Sequence, residues 1–183
     1  IVHAEAVVLG IGLQGNLRKL EVPGDSLPGV QYQLDDPDEY HGETIVVVGA
    51  GDAAIENALA LAGHNSVIIL NRRDEFARAK EGNLKGIMRG IETGALECIY
   101  NASPASVEAL PAGDPSGHRL KFLVKTRDGE TEVLCDRIIG RLGALPPRKF
   151  VESCGITFPS DDPSAVPAVS PRYESNVPGL YII

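Results

Sequence analysis

The sequence is short of cysteine, of cations and of long apolar runs, and each shortage removes a class of function. Its 183 residues hold three cysteines, Cys98, Cys135 and Cys154, which stand far apart and form neither a CxxC pair nor a metal-ligand cluster. They are expected to be reduced and mostly buried thiols. The four histidines, His3, His41, His64 and His118, are equally scattered beside turn or loop residues, and none is assigned a ligand role. Lys and Arg total 17 against 25 Asp and Glu, a formal charge of -8. That balance removes the broad positive field that sequence-independent nucleic-acid binding requires. Apolar stretches such as 6–9 and 45–50 fall far short of the roughly 20 residues that span a bilayer. Residues 1–13 lack the basic start of a signal peptide, and His3 and Glu5 interrupt the apolar run, so the expected location is cytoplasmic.

What is present is a globular composition: 43% hydrophobic and 23% charged residues, with 20 Gly and 13 Pro marking many turns. The length suits one domain, or one domain with flanking pieces. No internal repeat shows. The β-branched run Thr44–Val48 stops at Gly49-Ala50-Gly51, as a strand of a parallel sheet covered on both faces would. Residues 52–62 carry apolar positions at Ile55, Leu59 and Ala62 and read as a helix closed at Gly63; Ser66–Leu70 reads as the next strand. Strand, glycine turn, helix and strand make a βαβ unit with a right-handed crossover. A looser helix is expected over 74–93 and a strand over 96–100, and residues 103–110 open a stretch that ends in the Pro/Gly-rich loop 111–115. The runs 119–126 and 131–134 alternate around Asp128-Gly129, the signature of a hairpin leading into 137–140. The terminal segments 6–9 and 180–183 read as buried strands without neighbours, and the chain begins with Ile, so an excised domain with remnants of a larger parent is expected.

Gly49, Ala50, Gly51, Asp52, Ala53 and Ala54 spell G-x-G-x-x-A between a strand and a helix, the setting of the dinucleotide fingerprint. The first glycine permits the tight turn, the second lets backbone approach a pyrophosphate, and small Ala54 lets helix pack on strand. A tight turn without a ligand is the alternative. Replacing Gly49 with Val is expected to abolish binding by blocking the pyrophosphate. Where an NAD enzyme carries a carboxylate for the ribose diol, this chain has Asn71-Arg72-Arg73. Two guanidinium groups in that place prefer a 2′-phosphate, which points to NADP. The alternative is a surface network in which Asp74 and Glu75 neutralise the pair. Arg78 and Lys80 extend the basic patch. Glu56 is either a favourable charge near the helix start or a group near the nicotinamide. The acidic cluster Asp35, Asp36, Asp38 and Glu39 reads as a solvated loop around Pro37.

Together these residues resemble the nicotinamide-binding domain of FAD-dependent pyridine nucleotide-disulfide oxidoreductases, specifically the thioredoxin reductase-like group. The resemblance covers nearly the whole chain. Residues 6–12 look like the strand and turn closing a first FAD segment, and Gly15–Pro23 like the V-P-G loop that follows. Residues 71–76 are similar to the group's H-R-R-D-x-F signature, with Asn71 in place of histidine and Arg78 one position later than the group's third arginine. Residues 136–143, with Gly140, resemble the strand and glycine turn returning toward the flavin domain; 177–183 look like the strand before the second flavin motif. The resemblance implies binding of NADPH in this chain, with backbone at Gly140–Gly143 lining the nicotinamide end, and FAD in the intact parent only. The group's C-x-x-C dithiol is missing: the matching stretch, 31–38, contains no cysteine. Without a thiolate no mixed disulfide forms there, so the resemblance implies another electron acceptor, such as ferredoxin.

The expected fold is therefore α/β: a doubly wound, Rossmann-like three-layer nucleotide-binding domain with a parallel sheet and an added antiparallel β-meander. Residues 1–42 are expected to be a remnant of FAD-domain strand and linker, 43–146 the NADPH-binding domain, and 147–183 a linker and remnant strand of a second FAD segment. The cofactor-binding set is Gly49, Ala50, Gly51, Asp52, Ala53, Ala54, Glu56, Asn71, Arg72, Arg73, Arg78 and Gly140. An NADPH-sensing module without chemistry is the alternative function. A self-contained dehydrogenase is disfavoured because none of the five tyrosines has a Lys four positions on.

Overall fold

The structure, a computed structural model, describes residues 3–12, 16–162 and 165–183; Gly15, at the start of the V-P-G loop, lies outside them. Arg18–Gly143 form one compact unit, and the described residues of 1–17 with those of 144–183 form another. The boundary expected after residue 42 falls inside the larger unit.

In the larger unit the strands β2 (Val30–Gln31), β3 (Thr44–Val48), β4 (Ser66–Leu70), β5 (Glu97–Ile99) and β9 (Arg137–Gly140) make one sheet in the order β2-β9-β3-β4-β5. Every pairing in it is parallel, with Val46 opposite Ile68 on one side and Ile138 on the other. Alternation along β3 explains why the whole run is apolar. Ile45 and Val47 join the core that includes Ala54, Ile55, Ala58 and Leu61 of helix α1 (Asp52–Leu61) and Ile87 of helix α2 (Glu81–Glu92). Val46 and Val48 point the other way, into a core with Leu120, Phe122 and Val124. Each fully buried aliphatic contributes about 1.5–3 kcal/mol.

The third layer on that second face is the antiparallel sheet β6-β7-β8, formed by β6 (Ser103–Ala109), β7 (Leu120–Thr126) and β8 (Gly129–Cys135). The hairpin stands where the alternation placed it, but its turn is Arg127-Asp128, one residue earlier than expected, and Gly129 opens β8 opposite Thr126; residues 103–109 form a full strand paired along β7 with one register shift between Pro104 and Ser106.

Helix α2 is shorter than the expected 74–93. Residues 74–80 are irregular because Phe76 is buried in the sheet–helix core at 4% exposure and acts as a loop anchor, not as part of a helical stripe. The glycines that weaken α2 let it approach α1: a Cβ on Gly86 would stand 3.0 Å from Leu59 Cδ1.

In the smaller unit β1 (Val7–Leu9) pairs in parallel with β10 (Leu180–Ile182), and helix α3 (Arg148–Ser153), which the sequence reading missed, buries Val151. The strand expected at 6–9 forms over Val7–Leu9, with Val7 and Val8 47% and 59% exposed in this two-stranded sheet.

Candidate functional site

The larger unit places its glycine turn at the C-terminal edge of the parallel sheet, where strand order reverses between β3 and β9. This is the position at which open α/β sheets bind ligands. Gly49 has φ 136, and a Cβ there would stand 2.4 Å from the Arg141 carbonyl oxygen and 3.4 Å from Ala54 Cβ. Only glycine fits. The expectation that a side chain at Gly49 would act by blocking a pyrophosphate is therefore corrected: it would collide with the protein's own backbone first. Gly51 is the residue with open space, since nothing lies within 4 Å of a Cβ built on it. Gly51 is the N-cap of α1, its carbonyl accepting from the N–H groups of Ala54 at 3.0 Å and Ile55 at 3.1 Å. No side chain caps the helix, and among the described residues the Asp52 and Ala53 amides have no acceptor, which leaves these two for an anion. Ala50 is half-buried, Ala53 exposed and Ala54 fully buried.

Asp52 and Glu56 face the loop that follows β4. Asp52 Oδ1 accepts from the Lys80 N–H at 2.9 Å and from Asn83 Nδ2 at 2.8 Å, and the same Nδ2 donates to Glu56 Oε1 at 2.9 Å. The Lys80 amide first, then Asn83, hold the Asp52 carboxyl below its usual pKa. Asp52 thus ties loop 71–80 to the helix start. Asn83 is a site residue that the sequence reading missed; an amide within a helical stripe carries no distinguishing signal.

Asn71 is buried at 1% exposure. Its Nδ2 donates to the Glu75 carbonyl at 3.0 Å and its Oδ1 accepts from the Arg73 N–H at 2.9 Å, so its side chain shapes the loop bearing the arginines. Arg72, Arg73 and Arg78 are exposed, and among the described residues no carboxylate lies within ion-pair distance of them. The alternative of a network with Asp74 and Glu75 is not formed: Asp74 pairs instead with Arg127, at the tip of the β7–β8 hairpin, at 3.6 Å. Gly140 is buried, and a Cβ there would stand 2.8 Å from Tyr32 Cδ1. The Tyr32 hydroxyl donates to the Asp25 carbonyl at 2.9 Å and accepts from the Leu20 N–H at 3.2 Å, and burial raises its pKa. Gly140 therefore has a packing reason to be glycine.

The three cysteines are free thiols. Burial pushes Cys98 up to about 11 and Cys135 up to about 12, which leaves both protonated at neutral pH. Among the described residues no group of His, Cys, Asp and Glu could hold a metal ion, and no helix is long and apolar enough to cross a membrane.

Known proteins with this pattern are oxidoreductases by name. Over 182 residues the chain is 28% identical to a ferredoxin–NADP reductase of Ignicoccus hospitalis, covering 98% of this chain and 55% of that protein. It is 26% identical over 187 residues to a ferredoxin–NADP reductase of Lactobacillus acidophilus, 99% of this chain and 56% of that one. The chain thus spans about half the length of the curated relatives it matches. The thioredoxin reductase of Lactococcus lactis superposes with a TM-score of 0.77 at 27% identity, over 97% of this chain and 56% of that one. The bacillithiol disulfide reductase of Bacillus cereus shares the fold, with a TM-score of 0.84 at 19% identity over 97% of this chain and 52% of that one. With the family model for pyridine nucleotide-disulphide oxidoreductases matching residues 1–183, the chain belongs to that family.

Proposed function

We propose that this chain is the NADPH-binding part of an FAD-dependent oxidoreductase, and that it places the nicotinamide for hydride transfer to flavin. The observation that carries this reading is the pair Arg72 and Arg73, exposed and without an ionic partner among the described residues, directly after the second strand of a βαβ unit whose helix starts with free Asp52 and Ala53 amides and an open Gly51. Planar guanidinium groups match a 2′-phosphate with paired, charge-assisted hydrogen bonds. Gly51 leaves room for the pyrophosphate, and the Asp52 and Ala53 amides donate to it. Asn71 holds the loop in shape, while Asp52 and Asn83 dock it against α1. When bound, the two cofactors supply the hydride chemistry; the protein contributes placement and electrostatics.

The described residues of 1–17 and 144–183 are read as pieces of the flavin-binding part. The electron acceptor is proposed to be ferredoxin or a similar protein. Two facts support this: residues 31–38 contain no cysteine, and several relatives bear the name ferredoxin–NADP reductase.

Calorimetric titration with NADPH and NADH at low and moderate salt tests the reading. NADPH is expected to bind at least about tenfold (1.4 kcal/mol) tighter, with the gap shrinking as salt rises. Equal or tighter binding of NADH would remove the NADP assignment.

A further inference from the structure

The antiparallel sheet reaches the arginine loop through its own strand pairing. The Asn101 N–H donates to the Arg73 carbonyl at 3.2 Å and the Ala102 N–H to the Asn71 carbonyl at 3.0 Å, so the link between β5 and β6 is fastened to residues 71–73. β6 starts at the next residue, Ser103, which lies opposite Lys125 of β7. The end of β7 therefore runs beside the loop, and the turn that follows it presents Arg127. Arg127 Nη2 stands 3.6 Å from Asp74 Oδ2, with the two side chains 70% and 68% exposed.

An ion pair this long and this open to solvent adds little to the stability of the fold. What it sets is position. Asp74 is the next residue after Arg73, and among the described residues it is the only carboxylate within ion-pair distance of Arg127. A third guanidinium, carried by a different sheet, is thus kept at the loop that bears Arg72 and Arg73, by one carboxylate oxygen at a loose distance. A phosphate monoester carries about two negative charges at neutral pH and takes a guanidinium through paired, charge-assisted hydrogen bonds. It is the stronger partner of the two.

We infer that the Asp74–Arg127 pair is an exchangeable latch: with no dinucleotide bound Asp74 holds Arg127 at the loop, and an arriving 2′-phosphate takes Arg127 from it. The inference rests on the NADPH reading above. It gives the β7–β8 hairpin a part in choosing NADPH over NADH, and it makes Asp74 a built-in competitor that keeps NADPH affinity below what the cations alone would give.

The test is calorimetric titration of the full chain with NADPH and NADH. Arg127→Ala is expected to weaken NADPH about fivefold and to leave NADH unchanged, which also reports that the variant is folded. Arg127→Lys, keeping charge without the fork, is expected to fall between. Asp74→Asn removes the competing charge at nearly constant shape, and NADPH is expected to bind about threefold tighter; in Asp74→Asn/Arg127→Ala that gain is expected to vanish, since the two residues act through each other. Unchanged NADPH affinity in Arg127→Ala, or equal loss of both cofactors, would overturn the inference. Weaker NADPH in Asp74→Asn would make the pair a brace for the loop, and a gain that persists in the double variant would make Asp74 act without Arg127; either result overturns the exchange. A wild-type chain that binds NADH as tightly as NADPH would remove the NADP assignment itself, and this inference with it.

Discussion

The two edges of the parallel sheet treat their arginines in opposite ways. At the N-terminal edge Arg137 is paired on all sides. Its Nε donates to Glu43 Oε2 at 2.9 Å and its Nη2 to Glu43 Oε1 at 3.1 Å, while its Nη1 reaches Gln31 and its guanidinium lies 4.3 Å from the Tyr40 ring centroid. Arg119 adds a second cation to the same carboxylate at 3.2 Å. At the C-terminal edge Arg72, Arg73 and Arg141 have no carboxylate at all among the described residues. Within one sheet of a chain with net charge -8, acidic residues are plentiful, so the unpaired edge is not explained by a shortage of anions. A charge satisfied by the fold stabilises the fold; a charge left unsatisfied stabilises whatever binds beside it.

Several substitutions break or sharpen that contrast. The largest effect is expected where backbone leaves no room. Gly49→Val is predicted to cost about 4 kcal/mol in denaturant unfolding, from the φ strain and the overlap with the Arg141 carbonyl. Gly51→Val, at φ -89 with open space around it, should stay within about 1 kcal/mol of wild type and lose dinucleotide binding. Equal stability of the two variants would refute this division of labour between the glycines.

Next comes the paired edge. Arg137→Ala leaves Glu43, with a side chain 15% exposed, only the exposed Arg119 as a counter-charge, and a loss of roughly 2 kcal/mol is expected with NADPH affinity unchanged in the folded fraction. The double variant Arg72→Ala/Arg73→Ala should do the reverse: a shift in stability under about 0.5 kcal/mol and at least about tenfold (1.4 kcal/mol) weaker NADPH. If both variants altered the same quantity, the edges would not differ in role.

A gentler effect is expected at high pH. Burial raises Cys98 to about 11 and Cys135 to about 12, above the ordinary thiol value of 9.0. The unfolded thiols ionise first, so above pH 9 the unfolded state binds fewer protons than the folded one and stability falls as pH rises. Below pH 9 these groups contribute no slope. Cys135→Ala should flatten the decline between pH 9 and 12 in chemical denaturation; an unaltered slope would show that Cys135 is not its source. Smallest of all, Asn83→Ala removes the shared donor of Asp52 and Glu56 and is expected to cost under about 1 kcal/mol, read as a small fall in melting temperature.

Much of the larger unit was legible in the residues themselves. The run Thr44–Val48, the glycine turn, Ser66–Leu70 and the Asp128-Gly129 hairpin all follow local rules of periodicity and backbone freedom, and the structure puts β3, β4, β7 and β8 there. The loop at 74–80 was misread because Phe76 falls on a helical spacing, and spacing cannot distinguish an anchor from a stripe.

The sequence by itself determined the parallel-sheet class, the place of the glycine turn between strand and helix and the arginine pair after the second strand, because each is a property of a few consecutive residues. Only the tertiary structure decided which charges have partners. That Asp74 turns to Arg127 and away from Arg72, that Glu43 meets Arg137 from 94 positions away, and that the Arg141 guanidinium reaches the Tyr32 carbonyl are outcomes of chain crossings that bring distant segments together. Electrostatic pairing depends on distance in space, and distance along the chain does not report it.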